Sequence, residues 1–173
     1  KRQPESMDFI TAASMSLTYG TSSYALFQRA NINENDVVLI HGATGGVGIT
    51  AIEISKAVGA KVIATASTDE KLQIAKEYGA DYCINYSQNE FKDKVKEYTD
   101  GKGANIIYDP VGGDVFNQSL RCIAWNGIIL VIGFASGTIA SAPTNLPLLK
   151  NCSIVGVFWG CLLYTSDAAD ELC

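Results

Sequence analysis

"VVLIHGATGGVGITAIEISKAVGAKVIATAST" occupies Val37–Thr68. An apolar run ends at His41, a glycine cluster follows, and Gly45 opens a segment with Ile49, Ile52, Ile54 and Val58 on one side. Gly59 closes that segment, and "KVIATA" forms a second apolar run. The pattern predicts strand, tight turn, helix, strand. Glycine permits positive φ and lets backbone amides approach a ligand with no Cβ in the way. A helix N-terminus behind such a turn carries partial positive charge and suits phosphates without any lysine.

Outward from this unit the same reading continues. Pro4 to Ala30 is predicted helical, with Met7, Ile10, Ala13, Met15 and Leu17 on its apolar side and Gly20 offering a point of division. "NINEND" is a turn. Thr68 is the predicted N-cap of a helix that ends near Tyr78–Gly79. "YCINY" is a third strand, Phe91–Tyr98 a helix stopped by "DGKG", and "NIIYD" a fourth strand. Val115–Ala124 is a helix and "GIILVIG" a fifth strand. "ASGTIASAPTNLPLLKN" is a connection, and "SIVGVFWG" a sixth strand. Strands alternate with helices, and most strands are continuous apolar runs. That pattern predicts an α/β, doubly wound parallel sheet covered by helices, with ligands beyond the carboxyl ends of its strands.

The 173 residues are 47% hydrophobic, enough for one domain with a sizeable core. A net charge of −5 argues against duplex nucleic acid or an anionic membrane surface as partner. No run reaches about 18 apolar residues, so no membrane-spanning helix is expected. Cys83, Cys122, Cys152, Cys161 and Cys173 form no CxxC pair, and His41 is the single histidine. Zinc ligation is therefore not expected, and the thiols read as buried or idle in a reducing compartment.

Two registers of the dinucleotide fingerprint fit the cluster: Ala43-x-Gly45-x-x-Gly48 and Gly46-x-Gly48-x-x-Ala51. The competing reading is a turn that uses glycine for packing alone. Gly48 also allows close helix–strand approach. An acid at the end of the second strand would hold a ribose 2′-hydroxyl and favour NAD. Ala66-Ser67-Thr68 stands there instead, with Lys71 one helical turn on. A small hydroxyl and a nearby cation suit a 2′-phosphate, so NADPH is expected and NADH is the alternative. Lys71 is otherwise a solvated helix residue.

"HGATGGVG", "INYSQ", "YDPVGGDVF", "SLRCIAWNG", "VIGFASGTIASAPTNLPLLKN" and "GVFWG" resemble the zinc-independent quinone oxidoreductases of the medium-chain dehydrogenase/reductase superfamily. The resemblance covers about residues 4–160. It implies a GroES-like catalytic domain elsewhere in the parent protein, linking helices over 1–32 and a Rossmann domain over 33–160. It assigns the pyrophosphate loop to Thr44, Gly45, Gly46 and Val47, with Gly48 completing the fingerprint. It assigns the 2′-phosphate end to Ser67, Lys71 and Tyr86, the nicotinamide-side loop to Gly133, Phe134 and Ala135, and the ribose surroundings to Gly113. Thr21 matches a threonine that faces the nicotinamide.

Each has a plainer alternative. Tyr86 is otherwise a core aromatic, Gly133 and Phe134 a plugged turn, and Thr21 a hydroxyl bonded to its own helix. Asp109 reads as a loop-capping acid and His41 as a packed histidine. The resemblance implies hydride transfer from NADPH to a small-molecule quinone or α,β-unsaturated carbonyl, with no catalytic acid or base assignable on this chain. The alternatives are an enoyl reductase of the same fold and a crystallin-like, structural or RNA-associated module without turnover. It also implies a homodimer through the strand near 153–159. The absence of a leader pattern gives a cytoplasmic expectation, with a mitochondrial one if an earlier segment exists. "CLLYTSDAADELC", 161–173, resembles a translated sequencing adapter and is expected to carry no function. A genuine short helix is the alternative.

Overall fold

The computed structural model describes residues 7–88 and 90–160. Its six strands are β1 Val37–Ile40, β2 Lys61–Ala66, β3 Tyr82–Asn85, β4 Ala104–Asp109, β5 Ile123–Val131 and β6 Ser153–Gly156. Its helices are α1 Phe9–Ser23, α2 Gly46–Val58, α3 Asp69–Glu77, α4 Phe91–Tyr98, α5 Gly113–Cys122 and α6 Asn145–Lys150. All strand pairs are parallel, in the order β3-β2-β1-β4-β5-β6. The chain winds one way from β1 to β3 and the other way from β4 to β6, so β1 and β4 flank the switch point. The doubly wound parallel sheet is the architecture the apolar runs predict.

Period-two alternation divides the strands between two cores. Val38, Ile40, Val62, Ala64, Ile106 and Tyr108 face one layer, with Ile52 of α2 and Ala75 of α3. Leu39, Ile63, Ile107 and Ile129 face the other, with Phe91 and Val95 of α4 and Phe116 and Leu120 of α5. Because both faces are covered, the strands carry apolar residues at consecutive positions.

Several expectations need correction. Gly20 does not divide the first helix: α1 runs through it, and the indole of Trp159 occupies the space a side chain would need. The change comes at Tyr24–Arg29, a π-helical turn closed by Ala30 N donating to Ala25 O. The predicted apolar side of α1 is also not its buried side, since Ile10 is 85% exposed and Leu17 61% exposed. Thr21, Ser22, Ala25 and Leu26 are buried instead. The stretch 4–6 of that predicted helix lies outside the described residues.

On the far side, α5 spans Gly113–Cys122, earlier than predicted, and β5 starts at Ile123. Ala104 pairs with Ile123, then the register jumps so that Ile106 pairs with Ile128. Asn126, with φ of 59°, lies within the extra residues. α6 is a short helix inside the predicted connection, and its Leu146 packs against the second core. The tail 161–173 lies outside the described residues.

Candidate functional site

The strand ends at the switch point carry the glycine cluster. Gly42 turns the chain out of β1 with φ of +55°, a conformation glycine adopts at little cost. Gly45 N donates to Gly42 O at 2.9 Å, which tightens the turn. α2 then begins at Gly46, with Gly45 as an N-cap that offers no side chain and with no acid in the first turn. The first-turn amides of Gly46, Val47 and Gly48 have no intrahelical acceptor and lie at the positive end of the helix dipole. Gly48 serves a different purpose. A Cβ there would sit 2.4 Å from Gly42 O and 2.9 Å from Ala43 Cα, so only glycine lets α2 lie this close to the turn. Left-handed geometry thus falls on Gly42, and close packing on Gly48 as the sequence reading has it.

A cavity of about 290 Å³ opens in front of this turn. Thr44, Gly45 and Val47 line it from the glycine loop, Ser67 and Lys71 from the end of β2, Tyr86 from the end of β3, and Ala135 from beyond β5. A second cavity of about 500 Å³ continues from it, sharing Gly42, Tyr86, Val111 and Ala135 and adding Gly113 and its neighbours. Eight predicted residues therefore converge: Thr44, Gly45, Val47, Ser67, Lys71, Tyr86, Gly113 and Ala135. Gly46, Gly48, Gly133, Phe134 and Thr21 line neither cavity. Gly46 lies under α1, its Cβ position 3.1 Å from Thr18 Cγ2. Phe134 is 44% exposed and sits over Gly112. Thr21 donates its hydroxyl to Leu17 O at 2.7 Å, the own-helix bond anticipated as its alternative.

Chemically, the β2 end suits an anion. Thr68 caps α3 by accepting from Lys71 N, and Asp69 accepts from Asn85 Nδ2 at 2.8 Å. The first cavity's lining holds the hydroxyls of Thr44, Ser67 and Tyr86, the Lys71 ammonium and no carboxylate. Together with the uncapped α2 terminus, these groups fit a dinucleotide with its diphosphate on the loop and a further phosphate beside Ser67 and Lys71.

The opposite wall is made of main chain. Asp109 is buried, and its Oδ1 accepts from Val111 N at 2.8 Å and Gly112 N at 2.9 Å. It caps the loop after β4, as expected. Ala135 N donates to Pro110 O at 2.9 Å and Ser136 N to Val111 O at 3.0 Å, joining the loop after β5 to the loop after β4.

His41 is the packed histidine the sequence indicates. It is fully buried, with Nδ1 2.8 Å from Thr65 Oγ1 and Nε2 2.9 Å from Ser119 Oγ. Ser119 already donates to Val115 O, so Nε2 carries the proton and Nδ1 accepts from Thr65. Burial pulls the His41 pKa down to about 4, and Asp109 only partly offsets this.

Sequence reasoning missed a buried polar cluster behind the glycine loop. Ser22 of α1 donates to Val47 O at 2.9 Å. Its oxygen lies 2.8 Å from Thr50 Oγ1 and 2.9 Å from the Tyr108 hydroxyl. Burial holds the Tyr108 pKa at about 12. Nearby, Tyr19 donates to Glu53, and that bond is the main reason its own pKa rises to about 12. Three polar residues at unrelated sequence positions give no periodic signal. Polar residues on the inner side of α1, opposite its exposed Ile10 and Leu17, were the available hint.

The fold and these strand-end loops define a Rossmann-type α/β domain of the medium-chain dehydrogenase/reductase class. The chain belongs to the zinc-binding dehydrogenase family, whose model matches residues 46–172. It is 49% identical over 158 residues to the quinone oxidoreductase-like protein 2 homolog of Nematostella vectensis, covering 91% of this chain but 43% of that protein. Among solved structures, the quinone oxidoreductase of Pseudomonas syringae pv. Tomato DC3000 superposes with a TM-score of 0.87 at 33% identity, over 93% of this chain and 50% of that one. The Escherichia coli quinone oxidoreductase complexed with NADPH gives a TM-score of 0.83 at 31% identity, over 93% and 50% of the two chains. The chain thus spans about half the length of the relatives it matches. Among the described residues, no three His, Cys, Asp or Glu side chains converge as metal ligands, and no helix is long and apolar enough to cross a membrane.

Proposed function

We propose that this chain is the cofactor-binding part of an NADPH-dependent oxidoreductase that passes hydride to a quinone or an α,β-unsaturated carbonyl. Residues 33–160 form the cofactor domain, and 1–32 lead in from a catalytic domain in the parent protein. The observation that carries the reading is the uncapped start of α2 facing a cavity whose other end holds Ser67 and Lys71 without a carboxylate. The NADPH complex of the Escherichia coli relative supports the same cofactor.

NADPH supplies the hydride when bound. This chain's contribution is to bind and orient. The loop of Thr44, Gly45, Gly46 and Val47 meets the diphosphate through its amides. Ser67 and Lys71 meet the 2′-phosphate, with Tyr86 beside them. The wall of Gly113 and Ala135 shields the ribose side from water. Thr21, Gly133 and Phe134 belong to the nicotinamide end, toward the catalytic domain. A conjugated acceptor takes hydride at carbon without a metal on its oxygen, so the reading is zinc-independent.

Calorimetric titration with NADPH and NADH tests it. NADPH is expected to bind more tightly, and Ser67→Asp is expected to shift the ratio at least ten-fold toward NADH by repelling the extra phosphate. Absence of binding by either nucleotide to the complete protein would overturn the proposal. Binding without oxidation in the presence of a quinone and enone panel would favour a module without turnover.

A further inference from the structure

We infer that Ser22 is a positioning residue for the dinucleotide, acting from behind the glycine loop; the inference rests on the cofactor reading above. A peptide unit has two ends. The carbonyl of Val47 and the amide of Gly48 belong to one rigid plane. Gly48 is buried and outside both cavity linings, whereas Val47, whose carbonyl accepts from Ser22 Oγ at 2.9 Å, lines the first cavity. Ser22 therefore fixes the tilt of the peptide unit that follows Val47, a residue of the cavity wall. A donor on the carbonyl also polarises the amide and strengthens its N–H as a donor.

The protons are already allocated. Ser22 has one, and it goes to Val47 O, so Thr50 and Tyr108 donate to Ser22. Ser22 itself is fully buried, and no solvent competes for these bonds. The arrangement also ties α1 to the loop, because Ser22 belongs to α1 and Val47 to the first turn of α2. Cofactor on the loop and the placement of Thr21, next to Ser22, are then linked through one hydroxyl, and the linkage runs in both directions.

The test is calorimetric titration of the complete protein with NADPH and with NADH. Ser22→Ala is expected to raise both Kd values about ten-fold and leave their ratio unchanged, since the diphosphate is common to both. Tyr108→Phe keeps the Ser22–Val47 bond and is expected to hold both Kd values within about two-fold. Ser22→Cys, a weaker donor of similar size, is expected to fall between wild type and Ser22→Ala, and it serves if the alanine variant does not fold. In the free protein, the Gly48 amide proton resonance is expected to move upfield in Ser22→Ala. Lowered thermal stability with unchanged Kd in whichever variant folds would overturn the inference while leaving the cofactor reading intact. Failure of wild type to bind either nucleotide would remove both.

Discussion

At His41, one ring connects three elements directly beneath the glycine turn. Its pKa of about 4 lies below the ordinary value of 6.5 because burial disfavours the charged form. The unfolded chain accordingly takes up a proton between those values that the native ring refuses. Stability is therefore expected to fall as pH drops from about 6.5 to about 4, by about 3 kcal/mol from this group, and to level off from it below that. Chemical denaturation across that range checks the slope, which His41→Gln should flatten. Gly48 offers a steric counterpart. A methyl group there meets the backbone of Gly42 and Ala43 rather than a side chain able to move. Gly48→Ala is expected to cost about 1–3 kcal/mol in denaturation midpoint measurements and to weaken nucleotide binding as α2 is pushed away. Both residues are legible in sequence by type and place. His41 ends an apolar strand, and Gly48 holds the last fingerprint position. Ser22 and Tyr108 are not, because a bond between residues 86 positions apart leaves no local trace.

Among the elements, the sheet was the most legible, since strands buried on both faces are written as apolar runs and their ends as Gly, Pro or Asp. α1 was the least. Its apolar residues read as inward-facing because apolar periodicity predicts a buried face. Phe9 and Ile10 are each 85% exposed and Leu17 is 61% exposed, while the packed face carries hydroxyls. Hydrophobic periodicity marks an apolar face and not whether that face is covered. β5 was misjudged for a related reason. Asn126 in a left-handed conformation lets the strand absorb extra residues, and a bulge has no period. The polar seam between α1 and α2 makes a measurable claim. Tyr19 and Tyr108 are both raised to about 12, so a spectrophotometric titration should show two late tyrosines. Tyr108→Phe should remove one and leave the other.

For the molecule as a whole, several large apolar side chains stand exposed. Leu148 is 78% exposed and Phe158 76% exposed near the β6 end of the sheet, and among the described residues β6 pairs only with β5. The chain alone is expected to self-associate in sedimentation velocity, through β6 or the bare face of α1. Ile154→Lys should reduce association if the β6 edge is the contact. NADPH at about 100 times its Kd should raise stability by about 2.7 kcal/mol, a shift readable by thermal unfolding. The cavity wall formed by Pro110, Val111, Ala135 and Ser136 has a longer-term consequence. Its cross-ties are main-chain bonds, indifferent to what the side chains are. Mutation can therefore exchange exposed side chains such as Phe134 and Ala135 without unlacing the scaffold, while Gly137, with φ of +77°, stays glycine. This rim is a place where descendants of one ancestral gene are free to diverge in what they admit while keeping the same nucleotide seat.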